Sequence, residues 1–500
     1  MVDGPHGKTL HDGHTPMLNV SPEILRDLET ELNEPRFLDV PLGFTLNDLM
    51  YLYLHLGKLP DSAFEVNKQR LRYLCRQVRM LPYSAPRGNE VSQPILLTWI
   101  KESPVFKELV LPVVDALPKG EALILGYHSQ MASELRAEVP FLSLTEASAV
   151  SRNEWKVAYR ECAQQWHRKL RSFVKKHNLP EASYHYVAYA LLIHSQRVVA
   201  FRRFLAGLKP RAVVTEFDRN AWAACLILTA RSLGIPTMTM IHGVINAYGY
   251  TPILADVAFC WGERQKQQLI DLGVEREQLV VTGCPRLRRD APINAESAKH
   301  RLGAAPEKLL ILLGTNPIRR DLRLKLAEVF CEGLSRVPYV SAAVRLHSSE
   351  KIEEYDSLQK KYPAVLFHEN AAHSLNEILA AADLVVVHHS GLGNDALVKG
   401  KLTMVLDVLP FPLGNGGELI EQAGAPRLAS SQELSDAVQR FVQDEVWRKQ
   451  LQEKAEVYVD QFCAAFGNEA VSNIVREIRK RTHLGPRYGE KRFEKAMMDQ

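Results

Sequence analysis

The chain has 500 residues and seven cysteines, and its formal net charge is +4. A chain of this length exceeds one ordinary hydrophobic core, so two or three domains are expected. A composition of 46% hydrophobic and 24% charged residues is that of a soluble globular protein, and the nearly balanced charge argues against a nucleic-acid-binding protein. The cysteines are scattered without a C-x-x-C pair, which argues against a disulfide framework and a zinc site.

The first part of the chain is predicted to be a disordered tail over 1–20 and a mainly helical region over 21–115. Ser21 is a suitable N-cap residue, and Pro22 follows it at the first helical position. Two further amphipathic helices are predicted, over 45–57 and 63–80. No catalytic constellation stands out, so a structural role and an acceptor-contacting role both remain open. The sequence has no signal-peptide pattern and no apolar run of the ~20 residues that a membrane span needs, so we predict a cytoplasmic protein.

Strands and helices alternate from residue 116 to residue 290, which predicts a first Rossmann-like domain. Short apolar runs are predicted as strands over 121–127, 211–215, 236–241, 256–261 and 279–282. The segments between them are predicted as helices over 153–177, 186–208, 221–233 and 263–272. Because parallel strands need crossover connections, this alternation favours a mostly parallel sheet.

A second alternation follows a polar linker over 291–308. It predicts a second Rossmann-like domain over 309–478, and a basic tail over 479–500 follows. The strands of this domain are predicted over 309–313, 340–346, 364–368, 384–387 and 403–408. Two such domains make an α/β protein whose parallel sheets face a cleft, and ligands bind such sheets at the carboxyl ends of the strands.

The stretch Leu384–Val408 shows why the second domain is expected to hold a ligand. It begins with an apolar β-branched run, typical of a strand that is buried on both faces. A loop of small and polar residues follows, then a short helix that ends at Gly400, then a second apolar strand. Backbone N–H groups at the start of a helix are suited to a phosphate group.

Familiar nucleotide-binding and nucleophile motifs are absent from the sequence. No G-x-G-x-x-G opens a helix with an acidic residue ~20 residues later, and there is no G-x-x-x-x-G-K-[ST] loop. There is also no G-x-S-x-G elbow. These absences argue against an NAD-binding protein, a P-loop kinase and an α/β-hydrolase.

Polar or small residues instead follow nearly every predicted strand. Each of them alone has an ordinary explanation, as a hydrogen-bonded turn histidine, a helix N-cap or a solvated arginine. Their shared position at the strand ends favours a ligand site. In the first domain these residues are His128, Glu216, Asp218, His242 and Gly243. In the second domain they are Thr315, Asn316, Arg319, Arg345, His347, Glu369, His389, Ser390 and Asn394.

Several of these segments resemble GT-B-fold glycosyltransferases of surface polysaccharide synthesis, such as capsule or O-antigen enzymes. In the first domain they are His242-Gly243, Ala255-Asp256, Trp261-Gly262 and the turn from Val281 to Arg286. In the second domain they are Ala382-Asp383, Ser390-Gly391, Asp395-Ala396 and Gly400-Lys401. The resemblance implies a nucleotide-activated donor held mainly by the second domain and an acceptor that meets it from the first.

The resemblance also implies roles for donor-binding residues. Ser390 and Gly391 are expected to bind the donor phosphates, and Asp395 stands where the family often has a glutamate that hydrogen-bonds the ribose. Arg345-Leu-His347 resembles the R/K-x-H-P strand end of CMP-sialic acid, CMP-Kdo and CDP-glycerol transferases, in which the histidine contacts phosphate. In this chain Ser348 replaces the proline.

The remaining candidates concern the leaving group and the base. Thr315 and Asn316 are expected near the pyrophosphate or the leaving group, and Asn394 is a further candidate for binding the donor. Arg319 is a candidate for neutralising the leaving-group charge, and the absence of a D-x-D motif favours metal independence. The candidates for a general base that activates the acceptor hydroxyl are Glu216, Asp218 and His242.

The sequence therefore predicts a glycosyltransferase that moves a sugar from a nucleotide-activated donor to a hydroxyl of a glycan or lipid-linked glycan. CMP-linked acidic sugars are the candidate donors, and neither a metal site nor a further cofactor is predicted. The basic segment 476–495 is either a solvated helix with a frayed end or a contact with an anionic membrane surface. A sugar-nucleotide 2-epimerase and a non-catalytic sugar-nucleotide-binding protein are the two alternatives.

Overall fold

The computed structural model describes residues 22–47, 93–100, 104–126, 129–135, 139–147, 152–245, 247–289, 293–316, 318–410 and 413–483. His128, the predicted helix over 63–80 and most of the one over 45–57 lie outside these ranges. No helix in the described part of the chain is long and apolar enough to cross a membrane.

The first sheet has seven strands, all parallel, in the order β3-β2-β1-β4-β5-β6-β7. They are β1 Ile95–Trp99, β2 Ala122–Gly126, β3 Phe141–Ser143, β4 Ala212–Thr215, β5 Thr237–Met240, β6 Val257–Cys260 and β7 Leu279–Val281. Every residue of β1, β2, β4, β5 and β6 is buried. This is the pattern of a parallel sheet that helices cover on both faces.

The second sheet has six parallel strands in the order β10-β9-β8-β11-β12-β13. They are β8 Leu309–Gly314, β9 Val340–Arg345, β10 Leu366–His368, β11 Leu384–Val387, β12 Leu402–Leu406 and β13 Arg427–Leu428. In both sheets the strand order reverses beside the first strand, at β1/β4 and at β8/β11. Open parallel sheets bind ligands at the carboxyl side of this switch point. The prediction of an α/β protein with two Rossmann-like domains is confirmed.

The described α-helices surround these sheets and are numbered in chain order. In the first half they are α1 Pro22–Leu32, α2 Pro104–Ala116, α3 Leu144–Ala147, α4 Arg152–Lys176, α5 Glu181–Leu208, α6 Ala221–Ser232, α7 Ala247–Tyr250 and α8 Glu263–Asp271. In the second half they are α9 Ala295–Arg301, α10 Arg320–Ser335, α11 Asp356–Lys361, α12 Leu375–Ala381, α13 Leu392–Val398, α14 Asn415–Ala423, α15 Ser431–Gln443, α16 Glu445–Phe462 and α17 Gly467–His483.

Strand β1 is an inner strand of the first sheet, between β2 and β4, and it was not predicted from the sequence. It falls within the region 21–115 that was predicted to be mainly helical, so the first sheet begins before residue 116. The strand is one short apolar run, and a buried strand of this length cannot be distinguished from a buried helix segment by periodicity alone. Its neighbours β2 and β4 pair with it on either side.

The ends of the second domain also differ from the prediction. The segment 291–308 was predicted as a linker, but it contains α9, and Ala298 of this helix packs in the core of the second domain. At the other end, α17 returns to the first domain, where Val471, Ile474 and Ile478 pack with residues of α2. The chain therefore passes between the domains twice.

The two crossing segments meet through close backbone packing. The backbone N–H of Cys284 donates to the carbonyl of Ala465 at 2.9 Å, and that of Ala464 donates to the carbonyl of Trp261 at 2.8 Å. Gly283 has a φ of +88°, and a Cβ atom at this position would lie 2.2 Å from the Ala465 carbonyl oxygen. Only glycine satisfies both the backbone angle and the space.

The segment 22–47 is held against the first domain by a buried ion pair. Nη2 of Arg219 lies 2.9 and 3.2 Å from the two carboxylate oxygens of Glu29, and both side chains are buried. Thr45 and the Nδ1 atom of His194 in α5 are also hydrogen-bonded, at 2.7 Å. Because Arg219 follows β4, this segment packs beside the carboxyl edge of the first sheet.

The crossing gives a stability prediction with a matched control. Gly273 has the same φ of +88° as Gly283, but its added Cβ would meet nothing within 4 Å. Gly273→Ala should therefore cost only the backbone strain, about 1–2 kcal/mol. Gly283→Ala should cost at least about 2 kcal/mol more, because the backbone of Ala465 must also move. Denaturant unfolding of both variants measures this difference, and equal losses of stability would contradict the described crossing.

Candidate functional site

A buried polar network fixes the loop that follows β9. The hydroxyl of Thr315 donates to Oε2 of Glu350 at 2.7 Å and accepts the backbone N–H of His347 at 2.9 Å. The hydroxyl of Tyr355 donates to the same glutamate oxygen at 2.8 Å. Thr315, Glu350 and Tyr355 are all buried. Thr315, predicted near the leaving group, therefore positions His347 in this structure.

The imidazole of His347 presents its Nε2 side as a hydrogen-bond donor. Its Nδ1 atom accepts the backbone N–H of Ser349 at 3.2 Å and lies 2.9 Å from the Ser349 hydroxyl. Burial lowers the pKa of His347, and Arg345 and Arg323 lower it further. A neutral ring that accepts at Nδ1 carries its proton on Nε2. Such a group can donate a hydrogen bond to a phosphate oxygen.

Arg345 ends β9 and lies at the same strand edge. With its amide oxygen facing the guanidinium, Asn370 accepts from Nη1 and Nη2 at 3.1 Å each. The Nε atom is buried, and among the described residues it has no hydrogen-bond partner. Burial lowers the pKa of Arg345, although Asp395 acts in the opposite direction. A desolvated guanidinium whose neighbour is a neutral amide is suited to binding an anion.

Two other candidates near this edge have different surroundings. Asn316 is buried, and no described residue hydrogen-bonds its Oδ1 atom. The side chain of Arg319 is 61% exposed and forms an ion pair with Asp321, so the structure does not bring it into the group formed by Arg345 and His347.

The Ser390–Gly391 loop follows β11. The hydroxyl of Ser390 accepts the backbone N–H of Leu392 at 3.3 Å, and Gly391 is exposed. Asn394 lies in α13 beneath the loop and is buried. Its amide accepts from Tyr458 at 2.9 Å and donates to Asn415 at 2.8 Å. Asn394 therefore supports the loop from within the domain.

Asp395, predicted to bind ribose, is engaged by Arg286. The two carboxylate oxygens lie 3.0 and 2.9 Å from the Nη atoms of Arg286. The side chains of Arg286 and Asp395 are only 9% and 13% exposed. The guanidinium also lies 5.5 Å from the ring centre of Trp261. This bidentate pair connects the second domain to the segment that enters it.

Two of the three candidate bases are buried and bound by their surroundings. Glu216 accepts the backbone N–H of Ile100 at 2.5 Å and a hydrogen bond from the hydroxyl of Thr98. Oδ2 of Asp218 accepts the backbone N–H groups of Leu254 and Ala255 at 2.7 and 2.9 Å. Burial raises the pKa of Asp218. Both carboxylates are at most 1% exposed, whereas a general base must reach the proton that it removes.

His242 is the candidate base that is partly exposed. It follows β5, and three aromatic rings surround it, with centroids at 4.8 Å for Phe106, 4.7 Å for Phe217 and 5.5 Å for Tyr250. Its loop is fixed because Nε1 of Trp261 donates to the carbonyl of Ile241 at 2.6 Å.

The loops of the two domains meet beside His242. We call residues 241–245, which follow β5, the β5 loop. A Cβ atom placed on Gly391 would lie 3.9 Å from Cγ2 of Val244, so the β5 loop packs directly against the Ser390–Gly391 loop. An ion pair of 2.6 Å between Arg264 and Glu418 also joins the two domains. The loops that carry His242 and Ser390 therefore meet where the two domains come together. Within the described ranges, no group of three His, Cys, Asp or Glu side chains is arranged to hold a metal ion.

Comparison with known proteins supports the fold. No protein-family model matches the chain, and no curated protein matches it. MnaA of S. aureus, solved with UDP, is 14% identical, with a TM-score of 0.51 over 78% of this chain and 97% of that one. The UDP-GlcNAc 2-epimerase of Neisseria meningitidis, bound to UDP-GlcNAc, is 14% identical over 78% and 100%, with a TM-score of 0.49. HepE of Anabaena, with UDP and glucose, is 13% identical over 78% and 98%, with a TM-score of 0.46. The match to MnaA and the two parallel sheets show that the chain has a GT-B-like fold.

Several residues of this site were missed in the sequence. Phe106 was missed because β1 and the start of α2 were not predicted. Glu350 lies three residues after His347. Its role depends on hydrogen bonds from Thr315, which is 35 residues away, and from Tyr355, which is five residues away. Asn370 directly follows Glu369, and its place two residues beyond the end of β10 was the signal that could have identified it.

Glu350 gives a prediction about pH. Burial raises the pKa of Glu350 above its ordinary value of 4.5. The folded protein therefore holds this proton where the unfolded chain has lost it, so Glu350 contributes less stability as the pH rises through that range. Glu350→Gln carries no such proton. The stability of the wild type relative to this variant should fall as the pH rises above 4.5 and then level off. Melting curves of both proteins across this range measure it, with Glu353→Gln, an exposed neighbour, as the control. Parallel profiles for wild type and Glu350→Gln would contradict the assignment.

Proposed function

We propose that this protein is a cytoplasmic glycosyltransferase that moves a sugar from a nucleotide-activated donor to a hydroxyl of a glycan or lipid-linked glycan. A CMP-linked acidic sugar is the candidate donor. The observation that supports the proposal is the contact between Val244, two residues after His242, and the Ser390–Gly391 loop where the two domains meet. In this proposal the second domain binds the donor and the first domain binds the acceptor.

Arg345 and His347 support the donor half of the proposal. They lie two residues apart at the end of β9, and one supplies a positive charge while the other supplies an N–H donor. Asn370 occupies one side of the Arg345 guanidinium without neutralising it. A phosphate placed against both side chains would compensate the desolvated charge, and charge-assisted hydrogen bonds of this kind are among the strongest in proteins. Ser390 and Gly391 would contact the donor from the neighbouring strand end.

His242 supports the acceptor half. The imidazole would take the proton of the acceptor hydroxyl as its oxygen forms a bond to the anomeric carbon of the donor sugar. The bond between that carbon and the phosphate oxygen would break, and the nucleotide would leave with the bonding electrons. Arg345 and His347 would then meet the negative charge that develops on the leaving phosphate. Aromatic walls around His242 would limit the access of water to the base.

The nucleotide preference is tested by thermal shift with CMP, UDP, GDP and their sugars. Ligand at about 100 times its dissociation constant stabilises a protein by about 2.7 kcal/mol, so the preferred nucleotide should raise the melting temperature distinctly. Arg345→Ala should raise the dissociation constant about tenfold to a hundredfold, because a hydrogen-bonded charge contributes about 1.5–3 kcal/mol. Arg319→Ala is the matched control, since that arginine is exposed and paired with Asp321. Equal effects of the two variants would contradict the donor assignment.

The base is tested by separating turnover from stability. His242→Ala should lower kcat by about 10²–10⁴-fold and leave nucleotide binding unchanged. Asp218→Asn should chiefly lower the melting temperature, because Asp218 accepts two buried backbone N–H groups. Turnover that survives in His242→Ala but is lost in folded Asp218→Asn would overturn this choice of base. Interconversion of UDP-HexNAc epimers without any acceptor would favour the hypothesis of a 2-epimerase instead.

A further inference from the structure

The outer face of α4 carries a line of exposed basic side chains. We define the basic stripe as Lys156, Arg160, Arg168, Arg171 and Lys175, all of which are exposed. Successive members lie one or two helical turns apart, so the five side chains occupy an arc of about 120° on one face. The stripe extends for about 28 Å at 1.5 Å per residue.

The described part of the protein does not neutralise the charges of the basic stripe. Lys156, Arg160, Arg168 and Lys175 make no ion pair or hydrogen bond with any other described residue, and Arg171 lies over the ring of Tyr184 at 5.3 Å. A solvated helix usually alternates basic and acidic residues one turn apart, because such pairs are stabilising. No acidic residue falls within this arc, so the stripe is a positive face, and the exposed Glu161 lies just outside it.

The same arc also contains an apolar side chain. Val157 is 61% exposed and lies between the basic residues at the start of the stripe. An exposed apolar group amid cations suits the boundary between lipid headgroups and acyl chains. Single-stranded nucleic acids, in contrast, are bound in grooves with stacked aromatic rings. The straight outer face of one helix has no such groove.

The helical hairpin formed by α4 and α5 projects beyond the carboxyl edge of the first sheet. Helix α5 has 28 residues and ends just before β4, which has only four. At 1.5 and about 3.3 Å per residue, the helix is about 42 Å long and the strand about 13 Å. Sγ of Cys225, near the start of α6, lies 4.0 Å from the carbonyl of His194, so the part of α5 before His194 lies beyond the strand ends.

Helix α4 runs alongside this projecting part. Nε1 of Trp155 donates to the Ser195 hydroxyl at 2.8 Å, and the Tyr184 hydroxyl lies 3.1 Å from Nδ1 of His167. These contacts place the start of α4 level with the sheet edge and its end beyond it. Arg168, Arg171 and Lys175 therefore lie on the side of the first domain onto which the cleft opens.

We propose that the basic stripe of α4 docks the first domain onto an anionic lipid bilayer, with the cleft held close to the membrane surface. The proposal rests on the proposed function in one respect, which is that a lipid-linked acceptor would be presented at that surface. The partner is a bilayer rich in phosphatidylglycerol or a similar acidic lipid. Attraction between the stripe and the lipid phosphates falls off within a Debye length, so binding weakens as salt increases.

Vesicle flotation tests the proposal with the full-length chain. The stripe variant combines Lys156→Gln, Arg160→Gln, Arg168→Gln and Lys175→Gln. The scattered variant combines Arg276→Gln, Lys325→Gln, Lys360→Gln and Lys449→Gln, which removes the same total charge from exposed positions elsewhere. The vesicles contain phosphatidylglycerol with phosphatidylcholine, or phosphatidylcholine alone.

Wild type and the scattered variant should float with the phosphatidylglycerol vesicles. The stripe variant should bind these vesicles at least about tenfold more weakly, because each basic residue near the surface raises the binding constant about fivefold. Flotation that is unchanged in the stripe variant, equal losses in the two variants, or no flotation of the wild type would each overturn the proposal.

Melting temperature and the nucleotide-induced thermal shift of the stripe variant should match those of the wild type. A variant that fails either measurement is replaced by Arg160→Gln with Arg168→Gln, which should still weaken flotation. Because flotation needs no nucleotide, loss of nucleotide binding in the wild type would contradict the proposed function without affecting this measurement.

Discussion

The cleft depends on the close approach of two backbone segments where the chain crosses between the domains. Added Cβ atoms on Gly262 and Gly283 would lie 2.5 Å from the carbonyl oxygen of Gln461 and 2.2 Å from that of Ala465. The crossing is also hydrogen-bonded in both directions, from Cys284 and from Ala464. With this geometry fixed, the β5 loop meets the Ser390–Gly391 loop, and the carboxyl edges of both parallel sheets open onto the same cleft.

Two partly buried arginines near this cleft, Arg286 and Arg345, have opposite electrostatic surroundings. Arg286 is paired bidentately with Asp395, so its charge is compensated within the protein. Arg345 has the neutral amide of Asn370 as its neighbour, and none of the described carboxylates forms an ion pair with it. An uncompensated charge in a partly buried site is costly unless a ligand supplies the counter-charge. The contrast makes Arg345 the centre of the proposed phosphate site and makes Arg286 a structural residue.

Much of the fold could be predicted because it is encoded in local pattern. Strand β11 has the predicted bounds, Leu384–Val387, since a β-branched run between a helix and a polar loop has few other interpretations. Gly400 adopts a φ of +72° after α13, as expected of a helix C-cap. Strand β1 was missed because its short apolar run lies between proline-rich segments, and helix α2, which follows it, was not predicted either.

The site was less predictable because the state of each side chain depends on distant partners. Position at a strand end was correctly inferred for Glu216, His242, His347 and Ser390. The burial of these side chains could not be inferred in the same way, because it depends on distant residues. Glu216, for example, accepts a hydrogen bond from Thr98, which is 118 residues away. Asn394 is likewise bound by Tyr458, 64 residues away. Local sequence predicts which residues reach the edge of a parallel sheet, but long-range packing decides which of them face the cleft.

Hydrogen exchange with and without the preferred nucleotide tests the central claim, that a nucleotide-activated donor binds at the carboxyl edge of the second sheet. We expect nucleotide to slow the exchange of backbone amides in 345–350 and 389–394. The effect should be smaller in 242–245 and absent in the exposed helix ends at 443–449. Protection at 443–449, or no protection at the ends of β9 and β11 under saturating nucleotide, would contradict it.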